Sequence, residues 1–136
     1  MTAEEKYAYW LELAQYDLES ADAMFNAGRW FYVIFMCQQA IEKLCKGLYT
    51  LYLDDNVPKI HNIKQVFMCF EKSLPDTVGE DRYHLFDLLS AHYLLTRYPD
   101  FTNQAVGQLS KNEVELLLAK TKEVFSWLLT LKPSTV

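Results

Sequence analysis

The sequence predicts an all-α fold, an up-and-down four-helix bundle with one additional short helix. Three observations predict it. Apolar residues recur at steps of three and four, the period of one helix face. Pairs of the form Thr/Ser-x-x-Glu stand where the periodic stretches begin, as helix caps do. No run bounded by turn formers reads as a strand. The 136 residues are 51% hydrophobic and 15% aromatic, enough for one domain with one core and too apolar for disorder. The domain is expected over 1–133, with 134–136 as a C-terminal tail.

Taken in order, Thr2-x-x-Glu5 opens the first helix, whose apolar face is Tyr7, Leu11, Ala14, Leu18, Ala21 and Phe25. Gly28 supplies a left-handed stop. A very short link then makes the second helix an antiparallel neighbour of the first. That second helix, Trp30 to Leu53, is the centre of the chain. Val33, Cys37, Ala40, Ile41, Leu44, Leu48 and Leu51 form its apolar seam, and its only glycine is Gly47. Gln38, Glu42, Lys46 and Tyr49 form a second, polar stripe, expected to present chemistry or a partner surface. Glu42 precedes Lys46 by one turn, the favourable order for a helical ion pair.

Asp54-Asp55-Asn56-Val57-Pro58 ends the second helix. Asn62 with Gln65 caps a short helix carrying Ile63, Val66, Phe67 and Phe70, and Pro75 closes it. Thr77-x-x-Glu80 reads as the cap of a fourth helix with Leu85, Leu88, Leu89, His92 and Leu95. Pro99 biases Tyr98 toward extended geometry and breaks that helix. The next dozen residues read as a loop. Ser110-x-x-Glu113 caps a last helix with Val114, Leu117, Leu118, Thr121, Val124, Phe125 and Leu128, and Pro133 follows it.

The formal charge of −5 gives no overall field for nucleic acid, so any such contact needs a local basic patch. Cys37, Cys45 and Cys69 are odd in number and lack a CxxC, which reads as reduced thiols without a zinc site. A charged amphipathic start and the absence of a membrane-length apolar run predict a cytoplasmic protein.

Several of these landmarks together resemble one family. Leu13-Ala14-x-x-Asp17-Leu18-x-x-Ala21 precedes the Gly28 turn and then QQAIEKLCK at Gln38–Lys46. His61-Asn62-Ile63 heads the short helix, and Arg97-Tyr98-Pro99-Asp100 follows the fourth. From about Trp10 to Leu128 the chain resembles a HEPN domain. The resemblance implies a homodimer of helical bundles, often partnered with a minimal nucleotidyltransferase in a toxin–antitoxin or defence pair. It also implies one of two activities. One branch consists of metal-independent ribonucleases marked by Arg, four to six residues, then His. The other binds nucleotides, RNA or a protein partner without catalysis.

The ribonuclease spacing is absent. The required positions hold Thr102, Asn103 and Gln104 after Arg97, Asp87, Leu88 and Leu89 after Arg82, and Ile34, Phe35 and Met36 after Arg29. The chemistry needs a base for the 2′-hydroxyl proton and a cation for the transition state. An Arg without its His keeps phosphate binding and loses the expected proton carrier. The expected function is therefore a binding module without a cofactor, with Gln38, Glu42, Lys46, Tyr49, His61, Arg97 and Tyr98 as ligand-binding candidates. An atypical ribonuclease using Arg97 with His61 or Glu42 is the enzymatic alternative, and a structural adaptor without a small ligand is the third reading.

Each residue also has a plain structural reading. Glu42 and Lys46 can be a solvated pair, His61 a cap or a buried histidine on a backbone carbonyl, and Arg97 a cation at a helix C-terminus with Tyr98 packed on the bundle. His84 and His92 lack the Glu-x-x-His pattern of a bundle metal site, so no metal is expected, and His92 falls on the apolar seam. Trp10, Trp30, Phe31, Tyr32 and Phe35 are divided between core and a dimer interface.

Overall fold

A computed structural model describes residues 1–75, 78–95 and 109–134 of the chain, Leu95 by its backbone alone. The described residues form five α-helices and no strand: α1 (Ala3–Asn26), α2 (Trp30–Tyr52), the short α3 (Ile63–Phe70), α4 (Glu80–Leu95) and α5 (Lys111–Leu129). A single 3₁₀ turn, Glu71–Ser73, extends α3 before Pro75. Thr77, the Arg97–Asp100 segment and most of the loop after it lie outside the described residues.

Local chemistry sets the helix ends. At Thr2 the capping box is complete: Thr2 Oγ1 accepts the Glu5 amide at 3.1 Å, and Glu5 Oε1 accepts the Thr2 amide at 3.2 Å. Ser110 Oγ accepts the Glu113 amide at 3.2 Å, and Asn62 Oδ1 the Gln65 amide at 3.0 Å. Gly28 has φ +73°. Around it the Arg29 amide reaches the Met24 carbonyl at 2.8 Å and the Gly28 amide the Phe25 carbonyl at 3.0 Å. That is a Schellman stop, and it folds α2 back along α1.

α2 is the axle. α1, α3, α4 and α5 all pack on it, and its apolar seam from Val33 to Leu48 is buried. The predicted faces of α1, α3 and α5 also point inward. The face of α4 differs from expectation. Leu88 is exposed, while Phe86, Leu89 and Tyr93 join Leu85 inside. Adjacent leucines at 88 and 89 allow two faces, and the large rings of Phe86 and Tyr93 select one. The dense aromatics near the first turn are half-buried or exposed: Trp30 meets Phe25 at 5.3 Å, and Phe35 stacks on Tyr93 at 6.0 Å.

At Gly47 the backbones of α1 and α2 approach closely. A Cβ there would lie 2.9 Å from Trp10 Cβ and 3.3 Å from Tyr7 Cδ2. Trp10 Cβ is fixed by its backbone, so the helices themselves must separate. Alanine at this position gains about 1 kcal/mol of helix propensity. The overpacking costs about 1–3 kcal/mol, and we expect the cost to win. Gly47→Ala should lower the melting temperature and Gly47→Leu should lower it further. Gly79→Ala, where nothing lies within 4 Å, should leave it nearly unchanged.

Candidate functional site

The polar stripe of α2 does not face open water. Gln38, Glu42 and Lys46 are buried, and the side chains of Glu42 and Lys46 are only 6% and 9% exposed. This corrects the reading of a solvated pair. Four neighbouring helices enclose α2, and the stripe meets polar groups from elsewhere in the chain instead of solvent. Lys46 Nζ lies 3.3 Å from Glu42 Oε2. Gln38 Nε2 donates to Glu42 Oε1 at 2.9 Å and to the His61 carbonyl at 3.1 Å. His61 Nδ1 stands 3.1 Å from Glu42 Oε1.

His61 is placed by its surroundings from several sides. Its carbonyl is held by Gln38, and the next residue, Asn62, caps α3. The Ile63 amide donates to Ser90 Oγ of α4 at 3.2 Å. The imidazole ring leans on Tyr93 of α4, with centroids 4.7 Å apart. His61 is thus neither the cap nor a buried histidine on a carbonyl. Its side chain is 45% exposed, with one edge on Glu42 and the other toward the surface.

Glu42 accepts from Gln38 and Lys46, and its two oxygens have lone pairs left for a further donor. His61 Nδ1 lies within hydrogen-bond distance of both Glu42 oxygens, and in the tautomer that donates from Nδ1 the Nε2 is left as an acceptor. A carboxylate fixing one ring nitrogen so that the other can take a proton or contact a ligand is a recurrent functional arrangement. Gln38 Oε1 stays without a hydrogen-bond partner among the described residues.

Of the predicted site residues, the fold unites Gln38, Glu42, Lys46 and His61. Tyr49 stands apart: it is half-buried, and burial with the nearby charge of Asp54 raises its phenol above the ordinary value. Arg97 and Tyr98 lie outside the described residues. Tyr93 and Ser90 belong to the site and were missed from sequence. So was the pair Lys43–Asp17, 2.6 Å apart, which ties α2 to α1. Cys37 and Cys45 are buried thiols, Cys37 pushed up to about 12 by burial against a partly offsetting Thr121 hydrogen bond. Neither supplies a nucleophile.

A cavity of about 570 Å³ opens elsewhere, between α4 and α5. It shares no residue with the Glu42–His61 cluster. Arg82 lies 4.0 Å over the Trp127 ring there. The formal charges of Asp81 and Glu123 balance those of Arg82 and Lys120, so the lining carries no surplus of positive charge.

A family model described as HEPN domain matches residues 7–131. The chain belongs to the HEPN family. No curated protein and no solved structure matches it. Membership fits the helical bundle and relates the protein to nucleotide and RNA biology at the level of the family. Among the described residues no three metal-binding side chains cluster, and no helix is long and apolar enough to cross a membrane.

One histidine of this HEPN domain titrates against the fold. Burial holds His92 below its ordinary pKa. The unfolded chain then binds that proton more readily, so the contribution is complete above about pH 6.5 and is lost as pH falls below it. Thermal melts from pH 7.5 to 5.5, buffer pH values chosen around that pKa, should show a decline that is shallower in His92→Gln.

Proposed function

We propose that this HEPN domain is a homodimeric binding module that holds a nucleotide or an RNA end at the Glu42–His61 cluster, without ribonuclease activity. It acts beside a minimal nucleotidyltransferase partner in a toxin–antitoxin or defence-type pair, in the cytoplasm. One observation carries the ligand reading: a half-exposed imidazole is fixed by a buried carboxylate that a buried lysine and a buried amide hold in turn. Such anchoring freezes the ring before a ligand arrives, so little ordering entropy is lost on binding. The absence of a His at the ribonuclease spacing from all three arginines supports binding over cleavage.

Thermal shift against AMP, ATP and short RNA oligonucleotides tests this reading. Ligand at about a hundred times its Kd should stabilise the protein by roughly 2.7 kcal/mol, and His61→Ala should abolish the shift. No shift with any of them points to a structural adaptor. Light scattering at micromolar protein should give twice the monomer mass, and a strict monomer counts against the dimer.

The Glu42–His61 contact also favours a second reading, an atypical metal-independent ribonuclease. His61 Nε2 would take the 2′-hydroxyl proton while Arg97 stabilised the phosphorane-like charge. RNA incubated with the wild type, His61→Ala and Arg97→Ala decides it. Cleavage by the wild type that both variants lose establishes the enzyme; equal cleavage by all three marks a contaminant.

A further inference from the structure

The outward face of α1 carries a pattern that the bundle does not use. Glu5, Tyr9, Glu12, Tyr16 and Glu19 follow one another at alternating steps of four and three, and all are exposed. This is the spacing of a helix–helix seam, extended over about 21 Å. Tyr9 is 57% and Tyr16 69% exposed, so two large rings stand in solvent between three carboxylates.

The carboxylates are as telling as the rings. Other acids of α1 each have a lysine within the fold: Glu4 has Lys132 at 3.2 Å, Asp17 has Lys43 at 2.6 Å and Asp22 has Lys122 at 2.6 Å. Glu12 and Glu19 have no ion pair among the described residues, and Glu5 is engaged only in the cap. The one cation of α1, Lys6, is held by Asp55. The stripe therefore presents negative charge and aromatic faces with no positive group of its own.

Charge complementarity selects the occupant. A second copy of the same stripe would set glutamates against glutamates with no cation between them, and like charges across an interface are costly. Nucleic acid is repelled for the same reason. A basic helix satisfies every group: guanidinium planes stack on tyrosine rings, and ammonium or guanidinium groups pair with the carboxylates. We propose that the Tyr9–Tyr16 face of α1 docks a basic helical segment of a protein partner. Arginines of that segment lie on Tyr9 and Tyr16, and its lysines pair with Glu5, Glu12 and Glu19. The surface is small, which places the contact among weak, salt-sensitive interactions. It is independent of the Glu42–His61 cluster.

The probe is a synthetic helical peptide of six turns with Arg and Lys along one three-four seam. A peptide of identical composition, scrambled so that its charges share no face, is the control. Each is titrated at low salt into the isotope-labelled full chain. The seam peptide should shift amide resonances concentrated between residues 5 and 19 and bind about tenfold more tightly than the scrambled one. Tyr9→Ala/Tyr16→Ala, which leaves the net charge intact, should weaken the seam peptide about tenfold at an unchanged melting temperature. Shifts centred elsewhere, equal binding by the tyrosine variant, or no binding at all would overturn the proposal. A dimer that Glu12→Lys/Glu19→Lys alone dissolves would also overturn it, by giving the face to a second copy.

Discussion

Phe67→Ala should destabilise the protein by about 3–5 kcal/mol, the usual cost of emptying a fully buried aromatic site. Phe67 is wholly inside, at the point where three helices meet. Its ring lies 5.0 Å from Phe70 on its own helix, 5.5 Å from Phe86 and 6.1 Å from Tyr83 on α4, and 5.9 Å from Trp127 on α5. Several of these pairs are tilted or edge-on, and each such pair adds about 0.5–1.5 kcal/mol beyond its buried area. α3 has only eight residues, too few to persist without tertiary contacts, so the buried face that Phe67 shares with Ile63, Val66 and Phe70 holds it. The loop bearing His61 leads directly into α3, and loosening that helix also loosens the candidate site. Urea melts should show the full loss for Phe67→Ala and a smaller one for Phe67→Leu, which refills part of the volume. A loss below about 1 kcal/mol for the alanine variant would mean that the three helices do not share this core.

Helix positions were legible because short-range chemistry sets them. Thr2, Gly28, Asn62 and Ser110 each act within one turn of themselves, and each does in the structure what its neighbours in sequence imply. The apolar faces of α1, α2, α3 and α5 were legible for the same reason. The environment of α2's polar stripe was not. Spacing shows that Gln38, Glu42 and Lys46 share a face, but it cannot say whether water or another polar group covers that face. The answer depended on His61 and on Tyr93 from α4, which no local pattern connects to α2. A warning was present, because a helix apolar over most of its circumference is a buried helix, and a buried helix encloses its polar residues as well. Gly47 was readable in part. Trp10 and Gly47 stand nearly equal distances on either side of Gly28, so an antiparallel pair brings them level, and only a residue without Cβ fits there.

Glu42→Ala should cost about 3–5 kcal/mol, because it leaves the ammonium of Lys46 buried with no counter-charge. It also strands a Gln38 donor and frees the His61 ring. Glu42→Gln keeps the shape and removes the charge; it should fall between wild type and alanine, since an amide oxygen still accepts from Lys46. The informative variant removes both charges. Replacing a buried pair by apolar residues of similar volume is often neutral or stabilising, so Glu42→Met/Lys46→Met should recover most of the loss. A double-mutant cycle on Glu42→Met and Lys46→Met should then give a coupling of about 3 kcal/mol or more, because each single variant strands a buried charge that the double removes. This variant also separates stability from function. It keeps a filled interior, yet nothing fixes His61 Nδ1, so the imidazole loses its defined tautomer and orientation. A folded double variant with no nucleotide or RNA response would place the ligand role of Glu42 in its hold on His61 and not in its support of the fold. If Glu42→Ala instead melts within a degree or two of wild type, the carboxylate and the ammonium do not form a desolvated pair, and the anchoring of His61 fails with it.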